Sequence, residues 1–293
     1  MDPTPRDILW LVGFPVLLAA LAMLATRPWR RGRDLPGCGA AVAVAGGFAI
    51  GFYHHFGLPP FPPASAQQWV FALAAPLAGF AVALWFVRAR WFAIGLPVVA
   101  LALIPWLVLR KFSFDTPQLR WGWMVGGAAA MVAWWAAMEP LARRGRGASQ
   151  PLLLGAVIGV TGLAIIDGGI RTLGEATGAM ALPLVMVALA ATWARGASLA
   201  RGGVFTFAGL FGGLLICGHL LGYPGIPLLH LALLALAPLA MWAGELPGLG
   251  KPDSWKRFAV RTAAVLAVLA LPAVTAITGL KGTLDEQYES YSY

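Results

Sequence analysis

The chain has 293 residues, 59% of them apolar and 11% charged, with a formal net charge of +9. A soluble globular domain is nearer half apolar and a quarter charged, so this composition excludes an ordinary water-soluble fold. It predicts an all-α, polytopic integral membrane helical bundle, because helices apolar nearly all round must meet lipid. The basic balance does not mean nucleic acid, since the basic residues fall in short loops between hydrophobic runs, a topological pattern rather than a phosphate-binding patch.

Crossing a hydrocarbon core of about 30 Å takes roughly 20 helical residues. About ten segments qualify: 8–26, 37–57, 69–88, 91–110, 120–142, 152–170, 176–194, 203–221, 225–244 and 258–280. They predict one multi-pass transmembrane domain over 1–283 and no soluble domain. An acidic, tyrosine-rich tail at 284–293 then reads as disordered or as a docking segment. In the first segment Ala20-Leu21-Ala22 imitates a signal-peptide cleavage site. Asp2 and Asp7 against Arg6 deny it a positive n-region, so it reads as a retained helix.

Alternating the loops from 27–36 onward puts fifteen basic residues inside: Arg27, Arg30, Arg31, Arg33, Arg88, Arg90, Arg143, Arg144, Arg146, Arg195, Arg201, Lys251, Lys256, Arg257 and Arg261. Six fall outside: Arg6, Arg110, Lys111, Arg120, Arg171 and Lys281. The positive-inside rule then places both termini outside, although Arg110, Lys111 and Arg120 run against the pattern. Arginine outnumbers lysine 17 to 4, which with the alanine and glycine content points to a GC-rich bacterial genome and so to the inner (cytoplasmic) membrane of a bacterium. In size and helix count alone the chain resembles drug/metabolite permeases of the EamA type. The outside termini depart from the inside termini that this resemblance implies.

Tryptophans such as Trp29, Trp69, Trp85, Trp91, Trp121, Trp123 and Trp255 fall near segment ends, where amphipathic rings anchor a span. Gly47…Gly51, Gly155…Gly159 and Gly174…Gly178 have the small-residue spacing that lets helix backbones approach. Pro76, Pro97, Pro105, Pro183 and Pro238 lie inside spans, as packing kinks or as sources of freed carbonyls. Cys38 and Cys217, without C-x-x-C spacing, read as packing residues.

The stretch 165–178 carries Asp167, Arg171 and Glu175 between apolar runs, and ionisable groups at membrane depth tend to face a protein interior or a cavity. At 1.5 Å per residue, Asp167, His54 and His219 each lie roughly 22–24 Å from the inner face, and His230 roughly 6 Å from the outer one. A polar site near the outer face is therefore predicted from Asp167, Arg171, Glu175, His54, His219 and His230. The blander expectation is that Asp167 pairs with Arg171 at i, i+4 and stitches a hairpin. No catalytic residue, metal site or cofactor is predicted: H-x-x-x-H, H-E-x-x-H and G-x-S-x-G are absent, and adjacent His54 and His55 cannot both face one ion.

Three functions fit: a small permease using the outer polar site, a non-catalytic structural or assembly subunit of a larger membrane complex, and a membrane-embedded enzyme or cofactor holder. The partner implied directly is the lipid bilayer, with membrane-protein partners or a homo-oligomer compatible and nucleic acid excluded. A polar path from Asp167 toward Glu139 or Glu245 would favour the permease. Convergence of two of His54, His219 and His230 would favour the cofactor holder.

Overall fold

The computed structural model describes residues 4–26, 37–86, 90–110, 112–144, 147–193, 198–249 and 254–290. Trp29, Arg27, Arg30, Arg31, Arg33, Arg88, Lys111, Arg146, Arg195 and Lys251, which carry part of the topology reading, lie outside the described residues, as do the side chains of Trp85 and Arg90. The described residues form ten helical rods: α1 (Pro5–Thr26), α2 (Cys38–Phe56), α3 (Ala66–Phe86), α4 (Arg90–Leu109), α5 (Pro117–Arg144), α6 (Ser149–Asp167), α7 (Arg171–Trp193), α8 (Gly203–Leu220), α9 (Leu228–Glu245) and α10 (Trp255–Ser290). Each overlaps one segment predicted from hydropathy.

Eight of them, all but α2 and α5, are long and apolar enough to cross a membrane, so the chain is a multi-pass helical membrane protein. The other two are as long but diluted, α2 by glycines and the His54-His55 pair, α5 by tryptophans and terminal charges. In α1 the first turns pass through a π-helical stretch, Leu9–Gly13. In α9 the regular helix ends at Leu236, before Pro238, and continues as a 3-10 turn over Leu239–Glu245. Pro76, Pro97, Pro105 and Pro183 sit inside α3, α4 and α7. The backbone of α10 stays helical to Ser290, through most of the segment that composition read as a disordered tail.

At the centre is α8, buried almost around its whole circumference, with α2, α3, α4 and α5 packed on it. From α2 a second row runs outward through α7 and α6 to α10, with α1 packed across both α2 and α7. Lipid tails are as apolar as leucine, so close packing must hold such helices together. The sequence supplies small residues for it. A Cβ on Gly162 would lie 2.9 Å from the Gly174 carbonyl oxygen and one on Gly174 would lie 2.5 Å from that of Gly162, so α6 and α7 touch backbone to backbone. Gly47 and Gly51 likewise let α2 rest on Pro183, Ala179 and Ala176 of α7. Outward faces such as Leu17, Leu21 and Leu24 of α1 and Leu266, Val274 and Ile277 of α10 stay exposed, as a lipid-facing surface requires.

Up-and-down connectivity gathers the polar groups at two ends. One end holds the four histidines with Asp7, Asp167, Arg171 and Glu175, and the opposite end holds Glu139, Glu245 and the buried Arg261.

Candidate functional site

At the histidine end, Thr4 caps α1: Asp7 N–H donates to Thr4 Oγ1 while Thr4 N–H donates to Asp7 Oδ2 over 2.9 Å. That box fixes the Asp7 carboxylate and leaves Oδ1 facing α2, where His54 Nε2 meets it at 2.9 Å. The His54 ring is stacked on Trp10, with centroids 5.8 Å apart and planes 13° from parallel. Successive helical residues point about 100° apart, so His55 turns to the other neighbour. Its Nε2 lies 3.0 Å from Glu175 Oε2 of α7, close enough for an ion pair but out of hydrogen-bonding alignment. Arg171 Nε donates to the other oxygen, Glu175 Oε1, over 2.8 Å. The two adjacent histidines therefore tie α1, α2 and α7 together through two separate carboxylates.

Glu175, not Asp167, takes Arg171, which corrects the expected i, i+4 pair. The reason lies in the turn: Gly168 and Gly169 end α6, and Gly169 has φ +94°, with Tyr223 O where a Cβ would stand. The chain reverses there, so Asp167 and Arg171 belong to different helices rather than to one continuous face. Asp167 instead points at α10, where a Cβ on Gly279 would run into its carboxylate, with His230 of α9 in electrostatic reach.

His219 is separate again. Its Nδ1 lies 2.6 Å from Ile226 O in the α8–α9 loop, and its ring packs on Trp123 of α5 at 5.1 Å. Of the six predicted site residues, His54, Arg171 and Glu175 thus share one network with Asp7 and His55, Asp167 lies against α10 with His230 in electrostatic reach, and His219 stands with Trp123. Among the described residues no group of three or more histidine, cysteine or acidic side chains is placed to hold a metal ion.

At the other end, Glu139 is buried, and its Oε1 accepts from Arg143 Nε and from the Arg201 backbone N–H, each over 2.9 Å. Arg201 has φ +57°, a conformation that non-glycine residues seldom adopt, and the Glu139 contact holds it there. Glu245 accepts from Arg261 and from Arg257 NH1, the latter over 3.2 Å, while Arg261 NH1 donates to Ser149 Oγ over 3.0 Å. Two guanidiniums thus share one carboxylate and join α9, α10 and α6. Between the ends, the buried hydroxyls of Thr161, Thr177 and Thr206 are spent on the carbonyls of Val157, Leu173 and Leu77.

One cavity at membrane depth is apolar. A cavity of about 410 Å³ opens sideways between α5, α8 and α9. Its α5 wall is Leu119, Gly122, Trp123, Gly126, Ala130 and Met131, ending at Trp134; Leu215 and Gly212 of α8 form the back and Leu231 of α9 the far lip. The space exists because side chains are missing: a Cβ on Gly122 or Gly126 would touch nothing within 4 Å. The deep end is closed by Trp134, stacked on Phe207 with centroids 5.4 Å apart. From Leu119 to Trp134 the groove runs 15 residues along α5, or about 22 Å.

Residue-type reasoning missed His55, Asp7 and the groove. Adjacent His54 and His55 cannot both face one ion, yet each has its own carboxylate. The groove's only sequence signal is the small-residue run Gly122, Gly126, Gly127 and Ala130, which reads equally as a helix-packing face. Compared with known proteins, the chain matches no family model, no curated protein and no solved structure.

Proposed function

We propose that this chain crosses the cytoplasmic membrane of a bacterium ten times, with both termini outside, and binds a hydrophobic chain-shaped molecule taken sideways from the bilayer. The lateral groove carries this reading. Its 410 Å³ falls within the roughly 300–1,000 Å³ of small-molecule sites. It runs about 22 Å along α5 with an almost wholly apolar lining, which suits one extended hydrocarbon chain lying along the helix. The middle of the bundle favours such a ligand over passage of a polar solute, since it is filled by Phe48, Phe205, Phe207, Leu101, Ile104 and Ile158.

Photolabelling tests the reading. A palmitoyl chain carrying a diazirine at its end should label peptides from 119–134 and 208–216, and Gly126→Leu should remove most of that label without lowering the amount of folded protein. Equal labelling of the exposed faces of α1, α4 and α10, unchanged by Gly126→Leu, would rule the groove out. Extracellular protease acting on a C-terminal tag in intact cells tests the topology: a protected tag overturns it.

A further inference from the structure

The groove has a polar cap, and its chemistry names the ligand's head. The positions of α8 that line the groove, Ala208, Phe211, Gly212, Leu215 and Ile216, follow helical spacing, and the next position on that stripe is His219. Trp123, itself a lining residue, packs its ring on the imidazole at 5.1 Å. A backbone carbonyl only accepts hydrogen bonds, so the contact of Nδ1 with Ile226 O over 2.6 Å puts a proton on Nδ1. That carbonyl does not wander: Ile226 N–H is bonded to Gly218 O over 3.0 Å, Gly225 N–H to Gly168 O over 3.1 Å, and the Ile226 side chain is buried. The imidazole is thus held in one orientation, and Nε2 has no hydrogen-bond partner among the described residues.

We infer that the groove takes a single-chain amphiphile with a carboxylic-acid head, its chain along Gly122 and Gly126 and its carboxyl at His219 Nε2; this rests on the groove-binding reading above. A carboxyl suits that nitrogen in either proton state. The neutral acid donates O–H to the neutral imidazole, and the carboxylate accepts N–H from the imidazolium.

The test is competition against the diazirine palmitoyl probe on the purified full chain in detergent, using palmitic acid, methyl palmitate and dipalmitoyl phosphatidylglycerol. On the unaltered protein palmitic acid should compete at a concentration about tenfold or more below its methyl ester, the difference expected for one good charge-assisted hydrogen bond. His219→Phe, which keeps a ring against Trp123, should bring acid and ester within about twofold by weakening the acid alone. An acid and ester already equal on the unaltered protein would overturn the head assignment, a result that needs no variant to fold. Tighter competition by phosphatidylglycerol than by palmitic acid would overturn the single-chain assignment in favour of a membrane phospholipid. If Gly126→Leu leaves probe binding intact, the groove reading itself has failed. If it abolishes binding while His219→Phe leaves the acid preference unchanged, only the role of His219 has failed.

Discussion

Replacing Gly174 with alanine places a methyl group 2.5 Å from the Gly162 carbonyl oxygen, with the Ile166 side chain also in its way. Backbone cannot yield as a side-chain tip can, so α6 and α7 must separate. Overpacking of this kind costs typically about 1–3 kcal/mol, set against about 0.5–1 kcal/mol gained because alanine loses less backbone entropy than glycine in a helix. The net expectation is a loss of about 1–2 kcal/mol. Gly178, one helical turn away in the same small-residue motif, has nothing within 4 Å of its would-be Cβ, so Gly178→Ala should be neutral or gain up to about 1 kcal/mol. On the facing helix Gly162→Ala should lose stability, with its Cβ 2.9 Å from Gly174 O, and the open Gly159 should not. One displacement of the two helices relieves both clashes, so Gly162→Ala with Gly174→Ala should cost less than the two losses added together. The assay is equilibrium unfolding in mixed micelles, followed by helicity and titrated with a denaturing detergent. Equal effects at Gly174 and Gly178, or full additivity in the double variant, would refute backbone contact as what joins the hairpin.

Because Arg171 is held by Glu175, the losses from Asp167→Asn and Arg171→Gln should add within about 0.5 kcal/mol, whereas those from Arg171→Gln and Glu175→Gln should not; thermal melts of the single and double variants separate the two cases. Glu245→Ala strands Arg261, whose side chain is 4% exposed, and should cost about 3–5 kcal/mol, the range for breaking a buried ion pair. Adding Arg261→Met should restore part of that loss, and yields of folded protein read both. Glu139→Ala should cost about 1–3 kcal/mol by leaving the Arg201 N–H without its acceptor. Arg201→Gly, which accepts φ +57° freely, should recover some of it in the same melts.

Among the described residues eight of the segments read from hydropathy are helices apolar enough to span a membrane, because that signal is summed over twenty residues and needs no knowledge of neighbours. Depth along a helix can be counted, since one residue is about 1.5 Å. Which groups face each other was not legible, because azimuth depends on which helices become neighbours. Asp167 and Arg171 are four apart in sequence and look like a helical pair until Gly168-Gly169 reverses the chain between them. Asp7 meets His54 across 47 positions, and His55 meets Glu175 across 120, separations that no local pattern encodes.

The placement of the groove follows from how unevenly the bundle is fastened. The first, second and seventh helices are locked at the histidine end by two carboxylate–histidine contacts and in the middle by glycine-to-backbone packing. The sixth, ninth and tenth are locked at the other end through Glu245. α5 belongs to neither group. Its ties to α8 and α9 are Trp123 against His219, Trp134 stacked on Phe207, and Trp242 Nε1–H donating to Ala137 O over 3.1 Å, with Arg144 over the same indole at 5.5 Å. Between Trp123 and Trp134 the groove wall of α5 carries Gly126, Gly127 and Ala130, too short to fill the space, so the gap stays open along its flank and is closed at Trp134. A chain entering from lipid trades lipid contacts for contacts with the groove wall, so apolar burial alone gives little net affinity there. Discrimination among bilayer molecules then falls to the polar group that continues the α8 stripe past the groove, the Nε2 of His219.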